Sequence, residues 1–419
     1  MKKVTLIQCY SDHNYGDLGI ILSTAELLFS ISKDLEIDGI STYNADDPRF
    51  LTEHKDLKNY LGNKKGRIFP SIFGIVDRTK GNVYFNSFFN LLRFLLLIPF
   101  ARQNWVAELL LNKQEVESYK FIKTSDLIIS KGGSFFCDNH GKLGFLSFFR
   151  LWYIALLAVK LNKKVIILGQ SIGPLNSGIS KWYGNYLLKK FDKVILRESV
   201  CLSEYQYFVN RDYIINNDMV FYQKIVEPKL NSSSDSHLRR KVGVTIKYVD
   251  KDQDKYFSFV KSAVEIMVKH YNFDIVILPQ VPLDSDINAS KEIWNTLNKD
   301  VQKNVVVLDD LDGIENLLKK YSELYFVLGT RLHSCIFSWS VGVPAINISY
   351  HGTKSQGIYD NLGLSNWVLD YSSEKSLDLL TKNISLIIES RESIVNDVAN
   401  RITKDRVEID KIINDLLSA

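Results

Sequence analysis

The sequence predicts an α/β protein of two domains, each built on a parallel sheet covered by helices. Short apolar runs alternate with longer helical patterns along most of the 419 residues, which is typical of repeated strand–helix units. A polar, serine-rich segment at residues 227–236 separates two series of such units, and its composition is that of a linker. A chain of this length is also long enough for two hydrophobic cores.

The apolar runs give ten strands in two series. We predict strands at residues 4–9, 127–130, 165–168, 193–196 and 213–215, and then at 242–246, 275–278, 305–308, 324–328 and 345–348. The first domain is placed at residues 1–226 and the second at 239–419. Residues 43–120 are less regular and predict an insertion in the first domain, with helices from about Phe85. Since parallel sheets bind ligands at the carboxyl ends of their strands, we expect the two domains to face each other across a cleft.

Charge and cysteine usage exclude several classes of protein. The 52 basic and 48 acidic residues leave a net charge of +4, too small to indicate a nucleic-acid surface. The four cysteines (Cys9, Cys137, Cys201 and Cys335) lack metal-ligand spacing, so we expect reduced thiols and no metal site. Residues 1–9 predict a first strand and not a signal peptide, so we expect a cytoplasmic protein.

The segment at residues 83–100 is rich in phenylalanine and leucine. Asn86, Asn90 and Arg93 interrupt it, and its charge-free run is shorter than the roughly 20 residues of a membrane-spanning helix. A buried core helix accounts for this pattern, and a helix lying on the inner face of a membrane is the alternative.

The segment Gly329-Thr330-Arg331-Leu332-His333-Ser334 lies between two apolar runs and predicts a turn from a strand into a helix. A helix start offers unpaired N–H groups and the positive end of the helix dipole. Arg331 adds a permanent charge, and His333 adds a group that titrates near neutral pH. Taken alone, Arg331 could equally cap a helix, and His333 could equally lie in the hydrophobic core. Together they predict a site that holds an anion and moves a proton.

A second motif, Asn14-Tyr15-Gly16-Asp17, follows the first strand. Asp17 is placed to cap the next helix, and Gly16 permits a tight turn or a close approach of the backbone to a ligand. The motif lacks the Gly-x-Gly-x-x-Gly pattern of dinucleotide-binding folds, which disfavours a nicotinamide cofactor.

Other strand ends in the first domain carry small or polar residues. Gly132 and Gly133 expose backbone amides that can admit a sugar or an anion, or they form a sharp turn. Gln170 lies in a glycine-bracketed turn, where its amide can hydrogen-bond sugar hydroxyls. Arg197 ends the next strand, as Arg331 does in the second domain. The two arginines could grip two anionic groups of one molecule, or Arg197 could form a surface pair with Glu198 or Asp218.

Two more polar residues follow strands of the second domain. Lys354 is a candidate third cation, and Gln280 offers an amide at the same edge of the sheet. Neither residue would indicate a site by itself.

Read in order, the motifs resemble those of the polysaccharide pyruvyl transferase family. The matching segments are Asn14-Tyr15-Gly16-Asp17, Lys131-Gly132-Gly133, Gly169-Gln170-Ser171-Ile172-Gly173-Pro174, Arg197-Glu198-Ser199, Gly329-Thr330-Arg331-Leu332-His333 and Tyr350 through Lys354. They span most of the chain in the family's order. Lys131 stands where many members carry glycine, and Glu198 where many carry aspartate, which affects acceptor details more than the family.

The resemblance implies two Rossmann-like domains similar to GT-B glycosyltransferases, with the acceptor on the first and the donor on the second. It implies transfer of pyruvate from phosphoenolpyruvate to a sugar of a cell-surface polysaccharide, or of its lipid-linked precursor, as a ketal. Phosphoenolpyruvate is a substrate here, and no cofactor is expected. Its carboxylate and phosphate suit two arginines and a helix amino terminus.

On this hypothesis each motif receives a role. Arg331 and Arg197 hold the donor's anionic groups, Lys354 assists, and His333 moves the proton. The remaining candidates for substrate binding are Gln170, Asp17, Asn14, Gly132, Gly133, Thr330 and Gln280. The alternatives are a glycosyltransferase of the same shape that uses a nucleotide sugar, and a noncatalytic member of an envelope-polymer assembly. The sequence leaves the oligomeric state open.

Overall fold

The computed structural model describes residues 2–73, 83–138, 144–223, 239–281, 285–309, 313–350 and 353–418, with the backbone alone at 83–89. These residues form two compact units. The first comprises Met1–Asp12, Ile20–Met219 and Glu408–Ala419, and the second comprises His13–Gly19 and Val220–Val407. The linker predicted at 227–236 and the boundary between 226 and 239 lie outside the described residues.

The first unit contains a parallel sheet of eight strands. The strands are β1 (Lys2–Cys9), β2 (Leu35–Ser41), β3 (Ile68–Phe69), β4 (Leu127–Ser130), β5 (Gly133–Phe136), β6 (Lys164–Ile172), β7 (Lys193–Leu196) and β8 (Ile214–Ile215). Their order is β3-β2-β1-β4-β6-β7-β8, with β5 paired to β6. Val4 of β1 aligns with Ile37 on one side and with Leu127 on the other.

Helices cover this sheet. They are α1 (Tyr15–Ile31), α2 (Arg49–Thr52), α3 (Lys55–Gly62), α4 (Val83–Leu97), α5 (Asn104–Leu110), α6 (Lys113–Thr124), α7 (Gly144–Lys160), α8 (Gly178–Lys190) and α9 (Val200–Glu204). The central strands read as continuous apolar runs because both faces of the sheet are buried. On α7, Trp152 and Tyr153 are fully buried in the resulting core.

The predicted insertion at 43–120 supplies edge strand β3 and helices α2 to α6 of the first unit. Asn112 caps α6 through a reciprocal capping box with Glu115. Glu115 also binds Arg93 of α4 at 3.0 Å. The pairing of β3 with β2 thus joins the segment to the sheet, and the half-buried ion pair joins α4 to α6 within the segment.

The second unit contains a parallel sheet of six strands. They are β9 (Lys241–Thr245), β10 (Asp274–Ile277), β11 (Val305–Val307), β12 (Phe326–Gly329), β13 (Ala345–Ser349) and β14 (Val368–Asp370), in the order β11-β10-β9-β12-β13-β14. The helices are α10 (Gln253–Lys269), α11 (Asp286–Thr296), α12 (Lys299–Gln302), α13 (Ile314–Ser322), α14 (Leu332–Ser340), α15 (Lys354–Asn361) and α16 (Ser376–Ser418), the last with a kink at Ser390.

The predicted fold class is confirmed, since each unit is an α/β structure on a parallel sheet. All ten predicted strands overlap strands of the structure, whereas β2, β3, β5 and β14 were missed. The compact units differ from the predicted domains in three segments: residues 13–19 and 220–223 group with the second unit, and residues 408–419 group with the first. The cleft between the two halves stays a prediction.

Residues 83–100 form α4 and the turn after it. Phe94 and Leu97 are buried, which supports the core reading for one face of the helix. No helix among the described residues is long and apolar enough to cross a membrane.

Candidate functional site

Most of the predicted site residues of the second unit lie at the carboxyl edge of its sheet. Thr330, Arg331 and His333 follow β12, Gln280 follows β10, and Lys354 begins α15 after β13. Because all pairs of neighbouring strands in this sheet are parallel, these strand ends meet at one edge. The structure therefore brings these five residues to the same side of one sheet.

The turn from β12 into α14 occurs where the sequence predicts it. Thr330 lies within the turn and is 1% exposed. Its N–H donates to the Thr245 carbonyl at 3.2 Å, and its hydroxyl lies 2.7 Å from that of Tyr256. The Ser334 hydroxyl lies 2.8 Å from that of Thr245. These buried contacts hold the turn against Thr245 and Tyr256. The Thr330 hydroxyl, which was predicted to contact substrate, is thus already hydrogen-bonded within the protein.

Arg331 forms a bidentate ion pair with Asp286. Its Nε donates to Oδ2 at 2.7 Å and its Nη2 to Oδ1 at 2.6 Å. The Asp286 side chain is 1% exposed, and it also accepts the backbone N–H groups of Gln280 and Val281 at 3.2 and 3.0 Å. The Arg331 side chain is 13% exposed. The carboxylate thus fixes the orientation of the guanidinium and balances its charge.

Gln280 is 1% exposed. Its Oε1 accepts no hydrogen bond from any residue that the structure describes. A buried amide oxygen without a partner among the described residues is unusual, which is compatible with the predicted role of Gln280 in substrate binding.

His333 lies against the start of α1. A β-carbon built on Gly16 would lie 2.5 Å from His333 Nδ1 and 2.7 Å from Cγ. One turn further, a β-carbon on Gly19 would lie 2.7 Å from Cε1 of Phe337. The two glycines therefore allow the first turn of α1 to pack on the first turn of α14. This close approach brings the Asn14-Tyr15-Gly16-Asp17 motif to the predicted catalytic histidine.

The cap of α1 is Asn14, so the prediction that Asp17 caps this helix was wrong. The Asp17 N–H donates to Asn14 Oδ1 at 3.4 Å, and the Leu18 N–H donates to the Asn14 carbonyl at 3.0 Å. The Asp17 carboxylate accepts Asn14 Nδ2 at 2.7 Å. Asp17 therefore orients the capping amide and adds negative charge near the helix amino terminus.

In the first unit, Arg197 is buried and surrounded by protein acceptors. Its Nε donates to Ser171 Oγ at 2.8 Å, Nη1 to Asp218 Oδ2 at 2.7 Å and Nη2 to Ser134 Oγ at 2.7 Å. The side chain is 2% exposed. The pair with Asp218 was one of the two expectations, although it is buried and not on the surface. The substrate contact of Arg197 stays a prediction.

The expected turn at Gln170 is part of a strand. β6 continues to Ile172, and Gly133 of β5 pairs with Gln170, because the segment at 133–136 adds a strand beside it. A β-carbon on Gly132 would lie 2.1 Å from the Leu168 carbonyl oxygen, so this glycine permits a close approach of two backbones. Gln170 Nε2 donates to the Ser171 carbonyl at 3.0 Å, and Oε1 accepts no hydrogen bond from a described residue.

Two charged residues at the second unit's sheet edge were missed by sequence reasoning. Asp286 gave no signal, because its pairing with Arg331 depends on the folded arrangement of β10 and β12. Lys247 follows β9 as Lys354 follows β13, so the strand-end argument could have found it. Its Nζ lies 4.3 Å from the centre of the Tyr350 ring, a cation–π contact. His351 and Gly352, between Tyr350 and Lys354, lie outside the described residues.

Within the ranges that the structure describes, no group of three His, Cys, Asp or Glu side chains is arranged to hold a metal ion. At the carboxyl edge of its sheet, the second unit offers a fixed guanidinium, an imidazole, two lysines and the amino terminus of α14. Such a set can bind an anion and transfer a proton beside it.

Comparison with known proteins identifies the family of this chain. Residues 14–352 match the polysaccharide pyruvyl transferase family. The chain is 24% identical to the amylovoran biosynthesis protein AmsJ of Erwinia amylovora over 445 aligned residues, which cover 100% of this chain and 99% of that protein. The protein belongs to the polysaccharide pyruvyl transferase family, and is therefore a transferase that acts on polysaccharide.

Solved structures show the same fold. A glycosyltransferase from Rickettsia africae ESF-5 superposes with a TM-score of 0.57 at 11% identity over 99% of both chains. TarM superposes with a TM-score of 0.54 at 11% identity, over 100% of this chain and 99% of TarM. The UDP-GlcNAc 2-epimerase of Neisseria meningitidis, bound to UDP-GlcNAc, gives 0.53 at 12% identity over 100% of both. These likenesses assign the fold to the GT-B class.

Proposed function

We propose that the protein transfers pyruvate from phosphoenolpyruvate to two hydroxyl groups of one sugar, forming a ketal and releasing phosphate. The observation that carries this proposal is the placement of His333 against Gly16, two residues after an Arg331 whose orientation Asp286 fixes. Arg331 and His333, to which we assign anion binding and proton transfer, both follow β12 at the carboxyl edge of the sheet.

The donor suits this edge because it carries a carboxylate and a phosphate. Arg331 presents a planar guanidinium, and α14 begins at the next residue with the positive end of its helix dipole. Asp286 already balances the charge of Arg331, so a donor with several negative charges requires further cations. Lys354 and Lys247, which follow β13 and β9, are the proposed sources of that charge. Arg197 remains a candidate for the donor's second anionic group.

The reaction conserves atoms without an oxidant or a cofactor. His333 delivers a proton to the methylene carbon of phosphoenolpyruvate, and the central carbon becomes electrophilic. One sugar hydroxyl adds to that carbon, and a second hydroxyl then displaces inorganic phosphate. Two carbon–oxygen bonds form and the bond to the phosphate oxygen breaks. Of the two hydroxyl protons, one replaces the proton that His333 gave to the new methyl group, and the other leaves with phosphate.

We propose that the acceptor is the lipid-linked precursor of a cell-surface polysaccharide, met at the inner face of the membrane. The support is an apolar surface on α4, α5 and the turn between them. Leu95 and Leu96 are 45% and 47% exposed, Phe100 is 46% exposed, and Trp105 and Leu109 are 66% and 74% exposed. Exposed large side chains gathered on one pair of helices are typical of a docking surface.

The test is incubation of the protein with phosphoenolpyruvate and a panel of saccharides, followed by phosphate release and mass spectrometry. We expect stoichiometric phosphate and a product with the added mass of a pyruvate ketal. Thermal stabilisation by a uridine or guanosine diphosphate sugar, and none by phosphoenolpyruvate, would favour a nucleotide-sugar glycosyltransferase instead. If no product forms and none of these ligands stabilises the protein, the result would favour a noncatalytic protein.

A further inference from the structure

We propose that the first unit contains a subsite, built around Arg150 and Thr42, that binds an anionic group carried by the acceptor. This inference rests on the proposed function, because it names the class of acceptor that the transferase prefers. Its evidence does not involve the proposed donor residues Arg331 and His333, since every residue of the subsite belongs to the first unit.

The subsite lies at the carboxyl edge of the eight-stranded sheet. Arg150 is on the first half of α7, next to Leu151, whose carbonyl accepts Gln8 Nε2 from the end of β1 at 3.2 Å. β2 ends at Ser41, and Thr42 follows it. A cavity at this edge is lined by Gln8, Ser41, Thr42, Ser71, Phe73, Arg150, Leu151 and Ile154. This is the edge at which parallel sheets bind ligands.

Unlike Arg49, Arg197 and Arg331, Arg150 has no carboxylate partner among the described residues. Arg197 and Arg331 each bind an aspartate, and Arg49 forms a bidentate pair with Asp47. Arg150 has no such pair, and its buried Nη1 finds no hydrogen-bond acceptor in the part of the chain that the structure describes. A buried charge without a counter-ion is destabilising, and a bound anion would remove that penalty from Arg150.

Arg150 nevertheless stays charged at neutral pH. Burial lowers its pKa to about 10, and the nearby guanidinium of Arg49 acts in the same direction, while Tyr10 and Tyr43 oppose it. The cation is therefore present under the conditions of the reaction.

Thr42 supplies a second buried polar atom that has no hydrogen-bond partner among the described residues. This atom is its Oγ1, and Thr42 lines the same cavity as Arg150. The neighbouring Ser41 hydroxyl is already used, since it lies 2.7 Å from His54 Nε2 and accepts the Tyr43 N–H at 2.9 Å. An anionic oxygen would accept from both the guanidinium and the threonine hydroxyl, which satisfies two buried polar groups at once.

The size of the cavity limits what enters it. Its volume of about 10 Å³ is close to that of a single water molecule. It accommodates an oxygen of an anionic group but not a sugar ring, which must lie outside. Tyr10, half-buried and stacked on Tyr43 with ring centres 5.9 Å apart, is the nearby aromatic group that such a ring would meet.

Two kinds of acceptor carry the required chemistry. One is a sugar linked to its carrier through phosphate, and the other is an acidic sugar with its own carboxylate. A guanidinium binds either group through paired N–H donors. The experiment therefore uses three matched acceptors: a neutral methyl glycoside, the same sugar as its glycosyl phosphate, and the corresponding uronic acid.

The decisive comparison is between the wild-type protein, Arg150→Gln and the control Arg67→Gln. Arg67 is exposed, stacks on Phe69, and precedes β3 at the opposite edge of the sheet, so its replacement changes net charge equally. In the wild type we expect kcat/KM to be about tenfold or more higher for one or both anionic acceptors than for the neutral glycoside, as one lost charge-assisted contact implies. Arg150→Gln removes this preference and leaves phosphoenolpyruvate binding unchanged, and Arg67→Gln behaves as the wild type.

A smaller change and a stability measurement support the interpretation. Thr42→Val should lower the preference by a smaller factor. Without ligand, Arg150→Gln should melt at the same or a higher temperature than the wild type, because it removes a buried unpaired charge. A lower melting temperature would show that the arginine is paired in the native protein and would overturn the argument.

The inference is wrong if Arg150→Gln retains the preference for anionic acceptors, or if the wild type shows none. Failure of the proposed function looks different, since no acceptor would then yield a ketal. Calorimetric titration of the glycosyl phosphate and of the uronic acid into the wild type and Arg150→Gln separates the two cases. Binding of either anionic acceptor that is lost in the variant supports the subsite without any turnover. Binding that is equal in the two proteins, or absent for both acceptors, rejects it.

Discussion

Gly16 and His333 approach so closely that no other residue type fits at position 16 without moving the imidazole. A β-carbon at Gly16 would lie 2.5 Å from Nδ1, well inside van der Waals contact. Both residues belong to the second unit, although Gly16 is near the start of the chain. The amino-terminal motif is therefore part of the surroundings of the candidate acid–base group, which explains why it contains glycine and not a larger residue.

Gly16→Ala should displace the imidazole and impair the chemical step. We expect kcat to fall by about tenfold to a hundredfold, since a misplacement of about 1 Å of a catalytic group has effects of this size. Donor affinity should change little, because the substitution adds no charge. Steady-state kinetics and calorimetry with phosphoenolpyruvate measure the two effects separately.

The matched control is Gly62→Ala at the end of α3, where an added β-carbon meets no atom within 4 Å. It should retain wild-type turnover. Normal kcat in Gly16→Ala would mean that His333 tolerates displacement, and its assignment as the proton donor would then be wrong.

His333→Gln should lower kcat by about a hundredfold to ten-thousandfold, the range that general acid–base catalysis contributes. Phosphoenolpyruvate should still bind, because Arg331 and α14 remain. His270→Gln, at the exposed carboxyl end of α10, is the control and should match the wild type. Near-normal turnover in His333→Gln would exclude the histidine from the chemistry.

The parts of the fold that sequence predicts best are the strands buried on both faces. β4 and β7 lie where their apolar runs indicate, because a central parallel strand has no polar face. β2 is as deeply buried but was missed, since Glu36, Asp38 and Gly39 are uncommon in strands. Propensity describes a single residue, whereas this strand is stabilised by its pairing with β1 and β3.

For the site, sequence predicts which strand ends carry chemistry but not the partners of those residues. The turn at Arg331 follows from local pattern, whereas Asp286 is 45 residues away in sequence and is paired only by the register of the folded sheet. Arg150 and Thr42 gave no motif at all. Their significance rests on the absence of described partners in a buried setting, which is a property of tertiary structure.

Asp286→Asn tests whether Arg331 faces the donor. Asparagine keeps an oxygen for the Gln280 and Val281 N–H groups but removes the charge that balances Arg331. We expect tighter binding of phosphoenolpyruvate by several-fold, lower kcat because the guanidinium is less firmly oriented, and a loss of about 3 kcal/mol of stability from breaking a buried pair.

The control for Asp286→Asn is Asp300→Asn, whose exposed carboxylate pairs with Lys303 in the same unit and should leave donor affinity as it is. Unchanged affinity in Asp286→Asn would show that Arg331 does not contact the donor. Weaker binding would show that its orientation matters more than its net charge.

The stability of the first unit should depend on pH through His54. Burial, followed by the charge of Lys58, lowers the pKa of His54 to about 4 from an ordinary value of 6.5. Between these values the unfolded chain binds a proton that the folded chain does not, so stability is lost as pH falls from about 6.5 to 4. One such proton changes the free energy of unfolding by about 1.4 kcal/mol per pH unit.

In His54→Gln this contribution should disappear. Asp12, whose pKa burial raises to about 7, acts with the opposite sign, and the comparison of variant with wild type cancels it. Denaturant titrations across this pH window measure the difference in slope. Identical slopes in the two proteins would mean that His54 is protonated in the folded state at these pH values.

The apolar surface on α4 and α5 predicts membrane binding that depends on charge. Arg102 follows Phe100, and its Nε donates to the Lys160 carbonyl, so a cation adjoins the exposed side chains. We expect the wild type to float with vesicles that contain anionic lipid, less so at high salt, and not with neutral vesicles. Replacing Leu96, Trp105 and Leu109 together by glutamine should reduce flotation at least about fivefold without changing turnover on a water-soluble acceptor.

The control replaces Leu51, Val306 and Val407, which are 70%, 58% and 64% exposed on other elements, and should float as the wild type. If both triple variants float equally, these apolar residues do not face a membrane, and the acceptor must be met in another way.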